Sequence, residues 1–244
     1  MRTLTSAIGV LLFACVVAVA QVAVVPITDA SPSASPIHNT GTVTLSQVTL
    51  PSGMVTLSHK DNWTVKNVSN KPVMAFVESL RMVYASGYTI ERNAKYEAFF
   101  GPNGILAPGI NFDGLLSIES SRTEPGRKAD SLQRQPECEA TVRWVQFADG
   151  TTFGDSGYGE QFLADRSAIW SALRRLKHVY AADGVNGFAR QLEQRAAEPG
   201  VDAYLAHLRD LQQKRGPQKA IEALQEHLAA AEERAAELHE ETPN

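Results

Sequence analysis

The sequence predicts an antiparallel β-sandwich over residues 42–156 followed by an α-helical region over residues 157–244. Three observations carry this. Between Thr42 and Asp155 apolar residues alternate in about seven short runs, broken by Gly, Pro, Asn and Asp. After Gly157 the apolar spacing changes to three and four residues. Ahead of both lies an apolar N-terminus with the marks of an export signal.

That signal spans residues 1–20. Arg2 supplies the positive start, Ile8 to Val19 is apolar apart from Gly9, and Ala18-Val19-Ala20 has the small-x-small pattern that signal peptidase accepts. The first acidic residue is Asp29. Two rivals exist. Val22 to Val25 prolong the apolar run, so residues 1–25 left uncleaved would act as a membrane anchor. Leu12-Phe13-Ala14-Cys15 loosely matches a lipidation motif, although Phe13 and the apolar residues after Cys15 fit it poorly. Gln21 and Pro26 interrupt the run and favour cleavage. The expected location is therefore periplasmic, envelope-associated or secreted. Residues 21–41 read next as a flexible Pro/Ser-rich linker, because Pro26, Pro32 and Pro36 alternate with Ser and Ala.

The strands follow in order. Thr42 to Leu50 alternates until Pro51-Ser52-Gly53, and Met54 to Leu57 restarts the pattern. Trp63 to Val68 alternates up to the turn Ser69-Asn70-Lys71-Pro72. Val73, Ala75 and Val77 share a strand face in a run that continues to Tyr84. Phe112 to Ile118 is a further strand, and the polar segment 119–137 is expected as a long loop. Thr141 to Phe147 is strongly strand-like, and Asp149-Gly150 turns it into Thr151-Thr152-Phe153.

In the helical region Phe162, Arg166, Ile169, Leu173, Leu176 and Tyr180 recur at helical steps, with Asp155 or Ser156 as the cap and Asp183-Gly184 as the end. Shorter helices carry Phe188 and Leu192, then Tyr204, Leu205, Leu208 and Leu211. Pro217 opens the last one, whose Ile221, Leu224, Leu228, Ala231, Ala235 and Leu238 form a heptad-like seam. The seam is expected to pack within the chain; weak self-association through 217–240 is the alternative.

Composition bounds the function. Twenty-three Lys and Arg against 27 Asp and Glu give a formal charge of −4, so there is no basic footprint for nucleic acid. Only Cys138 remains after cleavage, which excludes an intrachain disulfide. It is expected half-buried in a strand, with Glu137 and Glu139 raising its thiol pKa. No cofactor and no metal is expected: the histidines His38, His59, His178, His207, His227 and His239 show no ligand spacing. Gly154-Asp155-Ser156-Gly157 matches the start of the nucleophile stretch of trypsin-like proteases, making Ser156 the one nucleophile candidate. The match fails at Tyr158, and helix follows where that fold needs strands. Asp113, Asp149 and Asp155 sit at turns, where Asp bonds its own backbone. Trp63 and Tyr84 are expected in the core, and Tyr96 to Phe100 over a sheet edge.

Asn67-Val68-Ser69-Asn70-Lys71-Pro72-Val73, Leu106-Ala107-Pro108-Gly109 and the hairpin from Val145 to Gly154 resemble turns of bacterial exported immunoglobulin-like domains of unknown function. The resemblance covers about residues 42–155, implies an Ig-like sandwich and an exported life, and transfers no functional residue. The chain is thus expected to be an exported, non-enzymatic interaction module for a protein or a cell-surface polymer. A hydrolase using Ser156, or a structural spacer, is the alternative. Mass spectrometry of the mature chain should find Gln21 at its N-terminus; an intact Met1 would instead establish a tethered form.

Overall fold

The computed structural model describes residues 19–49, 55–85, 87–101, 104–113, 120–124 and 136–238. Most of the export signal, Cys15, His239 and residues 125–135 of the expected loop lie outside the described residues. The strands are β1 (Val19–Asp29), β2 (Ile37–Thr49), β3 (Val55–Asn67), β4 (Val73–Val83), β5 (Thr89–Glu97), β6 (Asn111–Asp113), β7 (Ser120–Glu124), β8 (Glu137–Phe147) and β9 (Thr152–Gly154). The helices are α1 (Ser156–Glu193), α2 (Pro199–Arg215) and α3 (Pro217–Leu238).

The expected antiparallel sandwich, and the Ig-like fold implied by resemblance, are overturned. The strands form one mixed sheet in the order β5-β4-β8-β1-β2-β3-β6, with β7 on β3 and β9 on β8, curled into a half-barrel. The strand responsible is β1, which occupies the segment expected as a linker. Val19 to Pro26 pairs antiparallel with β2, from Val19↔Thr49 to Pro26↔Thr42. Ile27 to Asp29 then pairs parallel with Cys138 to Ala140 of β8. Pro26 stands where the chain leaves one ladder for the other, a point at which its missing N–H costs least. The proline read as a linker mark is the hinge of a central strand.

Alternation within β1 supports this placement. Val25 and Ile27 are buried, whereas Val22 and Val24 are 65% and 54% exposed. The connection into β2 is held by its own side chains: Asp29 accepts from the backbone N–H of Ser31 and Asn39 at 3.0 and 2.9 Å. Ser35 Oγ bonds both the N–H and the C=O of Ile37. β5 was hidden by its charges, since its inward positions are Ile90, Arg92, Ala94 and Tyr96. Of the expected loop 119–137, residues 120–124 form β7.

Inside the curl lie Val25, Ile37, Val43, Leu45, Trp63, Val65, Phe76, Leu80, Met82 and Val145. Full burial of each large member contributes about 1.5–3 kcal/mol. β4 is buried on both faces, because α1 covers its outside: Ala75, Val77 and Trp144 meet Phe162. Gly159 allows this approach, since a Cβ there would sit 2.4 Å from Trp144 Nε1.

The helices make a second core. Asp155 caps α1, its carboxylate accepting from the N–H of Gly157 at 2.8 Å. Gly184, at φ 66°, kinks α1 where the sequence predicted its end. The α3 seam, Ile221, Leu224, Leu228, Ala231 and Ala235, is buried against Trp170, Leu173 and Phe188 of α1 and Leu205 and Leu208 of α2. Phe99 and Phe100, directly after β5, join this core from the sheet side. Arg166 of α1 fastens the two cores. It donates to both oxygens of Glu97 at 2.9 and 3.2 Å, and its guanidinium lies 4.5 Å from the Phe99 ring centre.

Arg166 is 3% exposed, so its loss would leave Glu97 facing a hole in an apolar joint. Arg166→Ala should cost about 3–5 kcal/mol, the range for breaking a buried ion pair from one side. Urea unfolding measures this, and a loss below about 1 kcal/mol would show the joint is held by apolar contact alone.

Candidate functional site

Among the described residues, a polar cluster on the concave face and a hollow between sheet and helices each combine chemistry with enclosure. The cluster arises because inward positions of β2, β3, β4 and β5 include polar residues. His59, Asp61 and Asn39 are buried, as is Glu78. Arg92 reaches across the open side of the half-barrel to Asp61, with Nη1 3.8 Å from Oδ2. Neither Asp61 oxygen receives a hydrogen bond among the described residues.

Burial dominates the electrostatics of this cluster. Burial, helped by the positive Arg92, lowers the His59 pKa to about 4. Burial raises that of Asp61, and Arg92 acts against it. Burial and then Asp61 push the Cys138 thiol up to about 12, with Arg92 opposing. Cys138 is fully buried, not half-buried as expected, and Glu139 is only a minor contributor to its shift. Deeper in, burial raises Glu78 to about 8, while the Asn39 side chain favours its charge and Asp29 disfavours it. Asn39 Oδ1 is itself taken by the indole N–H of Trp63 at 2.8 Å.

The hollow has a volume of about 330 Å³ and apolar walls. Phe162 and Ile169 of α1 and Gly200, Ala203 and Tyr204 of α2 line it. Two ion pairs frame it: Lys95 to Asp165 at 2.6 Å, and Arg166 to Glu97. On its helical side Tyr204 Oη lies 2.8 Å from His227 Nδ1. Burial raises the Tyr204 pKa and lowers that of His227 to about 4, so the phenol donates to a neutral imidazole.

The residues singled out in the sequence do not assemble. Ser156 is exposed in the first turn of α1, and no histidine or carboxylate bonds its hydroxyl among the described residues. Asp149 accepts from Lys71 and Thr151, Asp113 from Thr64, and Asp155 caps its helix. Asn67, in a glycosylation sequon, is fully buried and donates to the carbonyls of Lys71 and Leu106 at 2.8 Å. Among the described residues no three His, Cys, Asp or Glu side chains form a metal-holding group. Trp63 and Tyr84 are in the core. The polar cluster and the hollow were missed. The signal for the cluster was present: Leu57-x-His59-x-Asp61-x-Trp63-x-Val65 and Ile90-x-Arg92-x-Ala94-x-Tyr96 place charged or titratable groups at apolar positions of an alternation.

No protein-family model matches the chain, and no curated protein matches it. Two solved structures align weakly. A Bordetella pertussis protein named as ApaA shares 14% identity at a TM-score of 0.28, covering 56% of this chain and 85% of its own. A hypothetical protein of Peptoclostridium difficile 630 shares 12% identity at a TM-score of 0.23, covering 55% and 92%. Likeness at this level carries no argument about fold or function.

Glu78 generates a pH signature. Its folded pKa near 8 lies above the ordinary 4.5, so its contribution is fully present below about pH 4.5 and is lost as pH rises through 8. His59 and His227, at about 4 when folded, act in the opposite sense, and their opposing slope fades above pH 6.5 as the unfolded imidazoles lose their last protons. Between pH 6.5 and 8 the chain should lose stability in urea unfolding, and Glu78→Gln should flatten that slope. An unchanged slope in the variant would show that Glu78 is ionised throughout.

Proposed function

We propose that the chain is an exported, non-enzymatic interaction module whose hollow between β5, α1 and α2 receives a large apolar side chain of another envelope protein. The observation that supports it is the hollow itself. It is apolar on its walls and framed by the pairs Lys95–Asp165 and Arg166–Glu97, which suits an apolar anchor flanked by polar groups. The buried titratable groups support the same reading. The pKa values of His59, His227, Cys138 and Tyr204 are all shifted away from physiological pH, and Glu78, pushed up to about 8, is fully buried and does not line the hollow. The exported life rests on residues 1–20, whose charge and apolar pattern suit a signal peptide.

Ala203 is exposed at the lip of the hollow, so Ala203→Trp should fill it without disturbing either core. The mature chain and this variant are immobilised and offered an extract of the native envelope. A partner held by the wild type should bind the variant roughly tenfold more weakly at unchanged melting temperature. Equal capture by both proteins, or capture by neither, would overturn the reading.

A further inference from the structure

β5 ends the sheet, and among the described residues no strand pairs with its outer edge. The direction of its backbone groups follows from the ladder with β4. Tyr84 N–H donates to Tyr88 C=O at 2.9 Å before β5, and Ala98 N–H donates to Met74 C=O at 3.0 Å after it. Between these points the register runs from Val83↔Thr89 to Ala75↔Glu97 without a bulge in β5. Antiparallel alternation then assigns the backbone groups of Ile90, Arg92, Ala94 and Tyr96 to β4. Those of Thr89, Glu91, Asn93 and Lys95 point to the open edge. The side chains of these four residues are all exposed on the outer face.

We propose that a second copy of this chain pairs along that edge, strand β5 against strand β5, antiparallel about a two-fold axis through Asn93. Charge selects this register. Centred on Asn93, Glu91 faces Lys95 of the second copy, and Lys95 faces its Glu91, twice across one axis. Centred on Glu91, two glutamates oppose each other; centred on Lys95, two lysines do. Opposite charges directly across an antiparallel pair are favourable and like charges unfavourable. On the inner face the Asn93 register sets Arg92 against Ala94 and Ile90 against Tyr96, with no like-charge pair. Within each chain Glu91 already meets Arg143 at 3.2 Å and Lys95 meets Asp165 at 2.6 Å. Pairing therefore builds two rows of alternating sign: Arg143 and Glu91 of one copy followed by Lys95 and Asp165 of the other. The contact is self-complementary, as a closed two-fold dimer requires, and it covers the edge that an open sheet leaves exposed to aggregation.

Light scattering of the mature chain across a concentration series tests this. The wild type should form a dimer whose fraction rises with concentration. Asn93→Lys, which sets two like charges across the axis, and Asn93→Pro, which removes an edge N–H, should both be monomeric with unchanged circular dichroism. Asn93→Cys should give a covalent dimer under mild oxidation, because bonded antiparallel partners have Cα atoms about 5.5 Å apart. A wild type that stays monomeric at every concentration would overturn the proposal. So would a dimer indifferent to Asn93→Lys, or slow hydrogen exchange of the Glu91 and Lys95 amides in dilute monomer, which would mean the edge is already covered by the chain itself. Asn93→Lys leaves the hollow intact and Ala203→Trp leaves the edge intact, so failure here is separable from failure of the binding reading.

Discussion

The architecture depends on β1 being bonded along both of its edges. Its first eight residues hold β2, and through β2 the strands β3, β6 and β7; its last three hold β8, and through β8 the strands β4, β5 and β9. Remove this strand and the sheet falls into two separate ladders. The parallel pairing with β8 is short, from Ile27 to Asp29, so it is reinforced locally. The Ala30 N–H donates to Ala140 C=O at 2.8 Å, and the Val142 N–H donates to Ser31 Oγ at 3.0 Å. Export cleavage after Ala20 would leave this junction untouched and remove only the first two pairs with β2.

A curled single sheet creates an inside that two flat sheets would not. Bringing β3 round to face β5 places Asp61 against Arg92 and gathers His59, Cys138 and Glu78 on the same concave face. These groups are costly: burial dominates every one of their pKa shifts. Apolar replacements of similar volume are often neutral or stabilising at such sites. Within the cluster, Arg92 and Asp61 link β5 to β3 across the opening by an ion pair, without strand pairing.

The helical region is an outer layer for one half of the sheet only. α1 covers β4 and β8 through Phe162 and Trp144, and Phe99, Phe100 and Arg166 tie it to the end of β5. The joint between the layers leaves the apolar hollow. The same arrangement leaves the β5 edge open, because the helices lie over the outer face and not beside the strand. The hollow and the open edge are thus two consequences of one geometry, and Lys95 borders both.

The sequence by itself determined the local structure where period and punctuation agree. The helices, a break in helix at Gly184, a cap at Asp155 or Ser156, the Asn67 and Asp149 turns and the strands around Val73 and Thr141 were all legible there, while the continuation of α1 past Gly184 was not. Those features rest on contacts a few residues apart. What only the tertiary structure decided was sheet connectivity. Whether a run such as Gln21 to Asp29 is linker or strand depends on partners some twenty residues away in β2 and over a hundred away in β8. Its proline, Pro26, and its apolar start resemble those of a stalk and a signal end, and no local rule separates the readings. The same holds for Arg92 and Asp61, whose pairing exists only because the sheet curls. Long-range hydrogen bonding chose the fold, and the site residues followed from that choice.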